Sequence, residues 1–314
     1  MKFDRTRIAA ATAVITAALP HCAVAQSAYR DAVMASSPSG YWRFEESTGP
    51  VLNEVGTGLA GTPAGTIART EASASAELGN AFRFSGGYVT VPFHQGVARG
   101  PEYTVELWMR RDPSQTTFGF ALSSGNDITT GSMKFVMKPT EPDCTLIMAN
   151  GQFANAKWYP YTAAQTLQWH HYAFVYSRSN DYCRMYVDGA IVDEKPIRVP
   201  FATNERPLVM GRHDNNGSFT YDYVGWIDEV AVYPRALDAA EIRSHVCAAD
   251  IADSLCCRAD LNQDGRTDGG DLGILLGFWG TGSEVFPAAD INGSGLVDGG
   301  DLSLLLASWV HCPG

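Results

Sequence analysis

The residues with the most specific chemistry lie near the C-terminal end of the chain, in a repeat with a period of 30 residues. Residues 259–280 align with residues 289–310 at 12 identical positions of 22. Each copy places oxygen-bearing side chains at alternate positions, then a glycine, then two more acids. Ca²⁺ prefers about six to eight such oxygen ligands. The predicted calcium ligands are Asp260, Asn262, Asp264, the Arg266 carbonyl, Asp268 (through water) and Asp271 in the first copy, and Asp290, Asn292, Ser294, the Leu296 carbonyl, Asp298 and Asp301 in the second.

The spacing within each copy is that of an EF-hand loop, in which a glycine in the middle makes a sharp turn. Gly265 and Gly295 occupy that position. The first loop has four carboxylates and the second has three. Because ligand charge tunes calcium affinity, the first loop is predicted to bind its ion more tightly. The repeat therefore predicts two bound calcium ions.

An amphipathic helix is predicted after each loop, because apolar residues recur at helical spacing. These residues are Leu272, Leu275, Leu276 and Trp279, then Leu302, Leu305, Leu306 and Trp309. No helical pattern precedes either loop. A calcium loop followed by a helix, present twice, resembles the type I dockerin, a calcium-folded module that binds cohesin domains in polysaccharide-degrading assemblies.

The dockerin resemblance implies a cohesin-like docking partner. One feature departs from the family pattern. Both loops carry Gly-Gly just before the closing acid, at 269–270 and 299–300, where cellulosomal dockerins tend to have Ser or Thr. A module that docks on an unfamiliar cohesin, or that only retains the protein at a surface, stays an alternative.

The charge balance agrees with a metal-binding tail. The formal net charge of the chain is −11. Residues 248–314 contain ten Asp or Glu and two Arg, which places −8 in this segment. Two calcium ions would offset about half of that charge. The acid excess argues against a partner made of nucleic acid or of anionic lipid, since both need a basic surface.

The first 25 residues have the pattern of a secretory signal peptide. Lys2, Arg5 and Arg7 precede an apolar run from Ile8 to Leu19, and 23–25 (Ala-Val-Ala) forms a small-x-small cleavage site. The apolar run is too short to span a bilayer. We therefore expect a secreted or surface-associated protein with no transmembrane segment.

Export favours disulfide bonds, and six cysteines lie beyond the signal segment. They are Cys144, Cys183, Cys247, Cys256, Cys257 and Cys312. Six cysteines allow many pairings, but Cys144 and Cys183 both lie in strand-like segments, so we expect them to pair. Neighbouring Cys256 and Cys257 cannot easily bond to each other. One is expected to reach Cys247 and the other Cys312.

The middle of the chain is a series of short segments with β patterning. Residues 103–110 alternate clearly, so that Val105, Leu107 and Met109 share one face. Asp188-Gly189 is a hairpin signal between two such segments. Many strands with almost no helical periodicity predict an antiparallel sandwich. The one helix predicted here is short, at 237–242, with Asp238 as its N-cap.

Several blocks in this region resemble laminin-G-like jelly rolls of the concanavalin-A-like lectin/glucanase superfamily. They are Gly-Tyr-Trp-Arg-Phe-Glu at 40–45, Tyr-Thr-Val-Glu-Leu-Trp at 103–108, Trp-His-His-Tyr-Ala at 169–173, Tyr-Val-Asp-Gly at 186–189, and Trp-Ile-Asp-Glu-Val at 226–230 followed by Arg-Ala-Leu at 235–237. The resemblance implies an all-β jelly-roll sandwich, to which the tail adds a small α-helical domain with two EF-hand-like calcium loops.

The sandwich does not carry the acid motif of the glucanases in that superfamily. Their E-x-D-x-x-E pattern, which puts catalytic carboxylates on one strand face, does not occur in this sequence. Asp228 and Glu229 are adjacent, so regular alternation would turn them to opposite faces. Asp228 is expected either to anchor a loop or to bind a structural calcium ion, which would be a third one.

Two loops combine aromatic rings with polar groups, the combination that suits a glycan. The candidate ligand-binding residues are Trp158, Tyr159 and Tyr161 in one, and His213, Asp214, Asn215, Tyr221 and Asp222 in the other. Edge packing by the rings and turn formation by the polar residues would explain the same pattern.

The predicted organisation has four parts: a signal peptide at 1–25, a jelly roll at 26–247, a linker at 248–257 and a dockerin-like pair of repeats at 258–314. The predicted function is non-catalytic binding of a glycan or surface ligand, tethered by a calcium-dependent docking module and serving polysaccharide binding or degradation. The alternatives are an extracellular glycoside hydrolase or lyase, and a structural adhesion protein whose jelly roll binds another surface protein.

Overall fold

The computed structural model describes residues 27–56, 58–93, 100–125, 133–138, 143–149, 153–158, 167–197, 205–215, 218–249, 259–262, 267–291, 294–307 and 309. The predicted signal peptide lies outside these residues. The strands are β1 (Gly40–Trp42), β2 (Thr62–Ala64), β3 (Ile67–Ala72), β4 (Asn80–Ser85), β5 (Tyr88–Val91), β6 (Glu102–Arg111), β7 (Gly119–Ser124), β8 (Met133–Lys138), β9 (Asp143–Ala149), β10 (Phe153–Trp158), β11 (His170–Ser177), β12 (Tyr182–Val187), β13 (Ala190–Pro196), β14 (Leu208–Met210), β15 (His213–Asn215), β16 (Ser218–Thr220) and β17 (Val224–Tyr233). The helices are α1 (Ala28–Ala35), α2 (Ala239–Ala248), α3 (Gly269–Gly277) and α4 (Gly299–Ala307).

Two antiparallel sheets form a jelly-roll-like sandwich, as the strand pattern predicted. The eight-stranded sheet has the order β13-β12-β11-β6-β17-β4-β3, with β1 also paired to β17. The seven-stranded sheet has the order β10-β9-β8-β7-β14-β5-β2. A separate hairpin joins β15 to β16. Strands far apart in sequence are neighbours, so the fold depends on long-range pairing.

The alternation in β6 decides which side chains enter the core between the sheets. Val105, Leu107 and Met109 are buried in that core, as predicted. Trp108 points to the other side of the sheet and belongs to a second apolar layer. The Asp188-Gly189 turn forms as predicted, with positive φ at both residues, and joins β12 to β13.

The second apolar layer covers the outer face of the eight-stranded sheet with α1 and α2. Tyr29 and Val33 of α1 and Ile242 and Val246 of α2 are its buried helical members. The capping box that the sequence predicted, Asp238 with Glu241, is present at the start of α2. The helix is longer than predicted, and its packing continues through Ala249.

A buried carboxylate ties this layer to the sheet. Glu106 of β6 is fully buried and accepts hydrogen bonds from the Tyr233 hydroxyl and from His245 Nδ1, whose distances to the carboxylate oxygens are 3.0 and 3.1 Å. His171 Nε2 lies 3.4 Å from the same carboxylate. The other nitrogen of His245, Nε2, lies 2.9 Å from the Ser36 hydroxyl at the end of α1. One charged group therefore links both helices to three strands.

The prediction that Asp228 and Glu229 face opposite sides of their strand is wrong. The pairing of β17 with β6 shifts register between Asp228 and Ala231, and Glu229 has φ +52°. This β-bulge interrupts the alternation. Both acids are fully buried, and the charge of Glu229 adds to burial in raising the pKa of Asp228.

The predicted Cys144–Cys183 disulfide is not formed. Cys144 belongs to β9 of the seven-stranded sheet and Cys183 to β12 of the eight-stranded sheet. Cys183 carries a free thiol, which donates to the Lys195 carbonyl at 3.4 Å, and burial raises its pKa to about 11. Cys247 lies half-buried in α2, but its predicted partners among Cys256, Cys257 and Cys312 lie outside the described residues.

The C-terminal repeat folds into two helices around a small core of its own. Both helices that the apolar spacing predicted are present, as α3 and α4. Equivalent residues of the two copies are buried in one cluster, which includes Leu261 and Ile291 as one equivalent pair and Leu275 and Leu305 as another. A short 3-10 turn at Pro287–Ala289 leads into the second loop. In the described part of the chain, no helix has both the length and the apolar character needed to cross a membrane.

The Glu106–His245 pair predicts a stability that depends on pH. Burial opposes protonation of His245, but the charge and hydrogen bond of Glu106 outweigh burial and raise the imidazole pKa. A raised pKa stabilises the fold fully below the unfolded value of about 6.5, and this contribution is lost as the pH rises through the folded pKa. We expect Glu106→Gln to remove this part of the pH dependence and to lower the free energy of unfolding by about 3 kcal/mol or more at mildly acid pH. Urea unfolding followed by tryptophan fluorescence measures both effects.

Comparison of the wild type with this variant isolates the pair. Burial raises the pKa of Glu229 to about 8, and this group titrates in both proteins, so its effect cancels in the difference. A pH dependence that is the same in the two proteins would contradict the prediction.

Candidate functional site

Four aromatic rings meet on the outer side of the seven-stranded sheet and form a cluster, called the hairpin patch, of Phe118, Phe120, His213 and Tyr221. The Phe120 and His213 rings stack with centroids 4.3 Å apart and an interplanar angle of 13°. Tyr221 lies 5.8 Å from Phe120 and 6.2 Å from His213. Phe118 meets Tyr221 edge to face at 6.5 Å.

Strand pairing positions the rings. The Phe120 amide donates to the Tyr221 carbonyl at 3.2 Å, and β15 lies against β7. Lys134 of β8 is fully buried, with its Nζ 5.8 Å from the Phe120 ring centroid. Because Met133 and Phe135 on either side of Lys134 face the core between the sheets, Lys134 and the patch lie on the outer side.

An ion pair fixes the segment that carries Tyr221. Arg212 binds Asp222 through two nitrogens, one of them 2.9 Å from Oδ2, and also donates to the Gly86 carbonyl at 3.2 Å. The same guanidinium lies 4.6 Å from the Tyr88 ring centroid. Tyr221 itself has φ +57°, which is uncommon for a residue other than glycine. The bidentate pair beside it holds this conformation.

The patch has a buried base and an exposed surface. His213 and Phe120 are nearly covered, whereas Phe118 and Tyr221 are 43% and 54% exposed. Among the described residues of the sandwich, these are the exposed aromatic side chains. A fixed pair of exposed rings beside an ion pair can pack against the apolar face of a ligand while polar groups take its hydroxyls.

The structure brings together three of the residues that the sequence predicted for ligand binding: His213, Tyr221 and Asp222. Asp214 and Asn215 follow His213 in β15, and their side chains lie outside the described part. Trp158 ends β10, and its backbone shares a row across the sheet with Gly119, next to the patch. Tyr159 and Tyr161 lie outside the described residues.

Sequence reasoning missed four contributors: Phe118, Phe120, Lys134 and Arg212. The Phe-Gly-Phe at 118–120 was a usable signal, because two aromatics at period two share one face of a strand. The burial of Lys134 had no sequence signal, since a lysine on an outward strand position is normally solvated.

The buried acids at the bulge have partners within the chain. Asp228 accepts hydrogen bonds from the Ser73 hydroxyl and from the Glu229 amide at 2.8 Å, so it anchors the loop that carries Ser73, one of its two predicted roles. Glu229 accepts from the Tyr41 hydroxyl and from Arg43 Nε at 3.1 Å. Burial raises the pKa of Glu229 to about 8, although the charge of Arg43 opposes this effect. Within the described ranges, no three His, Cys, Asp or Glu side chains converge as a metal site would require.

In the C-terminal loops, five carboxylates accept hydrogen bonds from backbone amides of their own loop: Asp268, Asp271, Asp290, Asp298 and Asp301. Asp271 is fully buried and accepts from the amides of Leu261 at 2.7 Å, Asn262 at 3.0 Å and Asp268 at 2.8 Å. Asp301 is also fully buried and accepts from the Asp298 amide at 2.8 Å.

The second loop makes its sharp turn at Gly295, as its sequence predicted. Asp290 accepts from the amides of Ser294 at 2.9 Å and Gly295 at 2.8 Å, and Gly295 has φ +90°. The Leu296 carbonyl accepts from the Ser294 hydroxyl at 3.1 Å. Asp260 is described; Asp264, Arg266 and Asn292 lie outside the described residues.

Comparison with solved structures supports the fold. Domain 4 of AbnA, a GH43 extracellular arabinanase from Geobacillus stearothermophilus solved in complex with arabinotriose, is 19% identical with a TM-score of 0.52, over 67% of this chain and 98% of that one. The botulinum neurotoxin serotype D ligand-binding domain, in complex with N-acetylneuraminic acid, is 12% identical with a TM-score of 0.52, over 68% and 52%. The binding domain of Paraclostridial Mosquitocidal Protein 1 is 13% identical with a TM-score of 0.51, over 67% and 52%. This chain thus spans about half the length of the two toxin domains.

The sequence itself gives a family match. Comparison with curated proteins finds no match. The family model Laminin_G_3, described as the concanavalin A-like lectin/glucanases superfamily, matches residues 84–243, about half of the chain. This span covers β6 and β17 at the centre of the eight-stranded sheet and the whole hairpin patch. The chain belongs to the concanavalin A-like lectin/glucanases superfamily.

Proposed function

We propose that this chain is an exported carbohydrate-binding protein whose sandwich holds its ligand at the hairpin patch. The observation that carries the proposal is the contact between Phe118 and Tyr221, two exposed rings fixed side by side. Rings held in place lose little entropy on binding, which favours stacking against a sugar. The neighbouring Arg212–Asp222 pair offers both donors and acceptors to hydroxyl groups.

Two of the similar structures support a sugar as the ligand. The arabinanase domain was solved with arabinotriose and the neurotoxin domain with N-acetylneuraminic acid. Those ligands belong to those proteins. They agree with a fold whose surface loops take glycans. The signal peptide pattern at 1–25 separately supports export to a secreted or surface location.

Removal of either exposed ring should weaken binding. We expect Phe118→Ala and Tyr221→Ala each to reduce the affinity for a glycan found by array screening by about tenfold, because each loses a stacking surface worth about 1 kcal/mol or more. Isothermal titration with the purified full-length chain measures the change.

The matched control is Ile191→Ala on β13. Ile191 is 48% exposed, so its loss removes apolar area from the edge strand of the eight-stranded sheet, whereas the patch lies on the seven-stranded sheet. Equal affinities for all three variants and the wild type, or an array without any glycan signal, would contradict the proposed function. In the second case, a structural adhesion role through a protein ligand becomes the better explanation.

The C-terminal repeat is proposed to bind two calcium ions. The donor set supports this: oxygen side chains, a backbone carbonyl and a closing acid recur in both loops. The local structure agrees, since Gly295 has the positive φ of a sharp turn and Asp271 and Asp301 are buried against their loops. Carboxylate oxygens that accept amide hydrogen bonds keep further lone pairs for a cation. Bound calcium would supply positive charge that holds each loop closed.

The described acids do not by themselves form a complete metal site, as no three converge. Three of the proposed ligands, Asp264, the Arg266 carbonyl and Asn292, lie outside the described residues. The whole ligand set at its repeated spacing supports the two sites, and a direct calcium titration tests them.

Matched variants at the closing position separate the two loops. Asp271→Asn should remove the tighter class of calcium binding and Asp301→Asn the weaker one, since the first loop carries more carboxylates. Each acid accepts a 2.8 Å hydrogen bond from the amide three residues before it. Asp271 also accepts from the amides of Leu261 and Asn262, so circular dichroism of the metal-free variants is needed to show that each is folded. Calorimetric titration after chelation measures both classes. Equal affinities, a tighter second loop or no binding would contradict this assignment.

The two helices are proposed to dock on a cohesin-like partner. Leu276 and Leu306 occupy equivalent positions of the two copies and are 53% and 52% exposed. Exposure of two leucines at equivalent positions is unfavourable in water for a small module. Their exposure therefore favours a contact with another protein.

Replacement of both leucines by Asp should reduce calcium-dependent binding to purified cohesin modules by at least about tenfold, because a charge would be buried at the contact. Val285→Asp is the control, since Val285 is also exposed in this module but lies outside both helices. Surface plasmon resonance with and without calcium measures binding. Failure of the wild type to bind any cohesin in calcium would leave only the retention role.

A further inference from the structure

A row of alternating tryptophan and arginine side chains crosses the outer face of the eight-stranded sheet. This Trp–Arg row consists of Trp169, Arg110, Trp226 and Arg83. The Arg110 guanidinium carbon lies 3.9 Å from the Trp226 ring centroid and 5.4 Å from that of Trp169. The Arg83 guanidinium carbon lies 5.2 Å from the centroid of the same Trp226 ring. Strand register places Trp226 directly opposite both arginines.

The row continues the outer face beyond the part that the helices cover. On β6, Trp108 belongs to the helix-covered layer, and Arg110 follows two positions later on the same side. Ile227, next to Trp226, points into the core between the sheets. All four members of the row are half-buried. The row is therefore on the sheet opposite the hairpin patch and is open to solvent.

The two arginines differ in their counter-ions. Arg83 binds Asp112 at 2.7 and 3.2 Å. For Arg110, no carboxylate partner and no side-chain hydrogen bond occur among the described residues, and its Nε is buried without an acceptor. The acid beside the row, Glu71, accepts from the Trp226 indole nitrogen at 3.5 Å.

Arginine stays charged in proteins, and its five N–H donors lie in one plane. Tryptophan rings above that plane attract the charge but accept none of the in-plane hydrogen bonds. Arg110 is thus held in place by its rings, and because its Nε is buried, the terminal Nη donors are the ones left for another group. A guanidinium so placed matches the geometry of a carboxylate or of another oxyanion.

We propose that Arg110, between Trp169 and Trp226, is a second binding site, for an acidic sugar whose carboxylate or sulfate group pairs with the guanidinium. The half-exposed indoles offer apolar surface for the sugar ring beside the anion, which an acidic peptide would not need. The choice of a sugar rests on the carbohydrate-binding function proposed above, whereas the anionic group follows from Arg110 alone.

The test uses the full-length protein, polyglutamate as an acidic peptide for comparison, and three sugar probes: an oligogalacturonate, its methyl ester and an oligosaccharide sulfate with a neutral backbone. Isothermal titration at low salt should show binding to the first or the last, and which of these binds identifies the anionic group. The methyl ester, which keeps the backbone without charge, should bind at least tenfold more weakly than the oligogalacturonate if the carboxylate is recognised. Arg110→Gln should lower the affinity for the acidic probe at least tenfold. Arg110→Lys should restore only part of it, because lysine keeps the charge without the planar fork.

The matched control is Arg184→Gln. Arg184 on β12 of the same sheet also stacks on a ring, 3.8 Å from the Tyr182 centroid, but it has Glu194 at 2.6 Å as its counter-ion. This variant should bind the acidic probe like the wild type. Circular dichroism and thermal melting show whether each variant is folded, and Arg110→Lys tests the site if Arg110→Gln is not.

Several results would overturn the proposal. These are no binding of either acidic probe, an unchanged affinity in Arg110→Gln, an equal loss in Arg184→Gln, and tighter Arg110-dependent binding of polyglutamate than of the sugars. The variants Phe118→Ala and Tyr221→Ala separate this site from the hairpin patch. If both variants bind the acidic probe as the wild type does, and no neutral glycan binds to the protein, the hairpin patch proposal fails and this one stands.

Discussion

The fold depends on the neutralisation of one buried charge. Glu106 lies in the middle of β6, at the centre of the eight-stranded sheet, with no access to water. Burial alone would raise its pKa, but the charge and hydrogen bond of His245, with His171 close by, hold the pKa of Glu106 well below its usual range. A carboxylate in this position is tolerable only when its partners are in place. Since one partner comes from α2 and the Ser36 contact comes from α1, the charge specifies where both helices lie.

The same strand carries a second charged residue, Arg110, on the part of its outer side that the helices do not cover. Arg110 lies on the same side of β6 as Glu106, four residues further on, where no described carboxylate meets it. The outer side of β6 thus carries two charges: Glu106 has partners inside the fold, and Arg110 is held between aromatic rings. A charge matched by the chain serves stability. A charge fixed in position without an internal partner is available to a ligand, which is the physical difference between the covered and the open parts of this face.

Much of the sandwich could be predicted because its strands obey simple rules. Alternation in β6, the Asp188-Gly189 turn and the capping box of α2 are local features, and each forms as expected. The helix α1 was missed because it has only two buried residues, Tyr29 and Val33, which is too little periodicity to detect. The relation of Asp228 to Glu229 could not be predicted, because a bulge at a residue with positive φ follows from tertiary pairing and has no signal in the sequence.

The candidate site was predicted in part for the same reason. His213, Tyr221 and Asp222 are close together in the sequence, in and just after the β15–β16 hairpin, and could be selected by composition. Phe118 and Phe120 reach them only through the pairing of distant strands. The Cys183 thiol is a similar case, since strand patterning alone does not say which sheet a cysteine will join. Local patterns thus find elements, and the contacts between distant elements decide chemistry.

The two proposed sugar sites differ in a way that bears on how the protein would hold a polymer. The hairpin patch offers exposed rings next to an internally matched ion pair, and the Trp–Arg row offers a cation between rings on the opposite sheet. One polysaccharide strand cannot easily contact both outer faces of a sandwich at once, because it would have to wrap around the edge. Two sites on opposite faces instead favour two chains, or two segments of one long chain, bound to the same molecule. Linked sites raise the overall affinity for a dense polymer far more than for a short oligosaccharide. If the tail docks in a calcium-dependent way as proposed, tethering is separate from ligand capture, and the two functions can be selected independently in this chain.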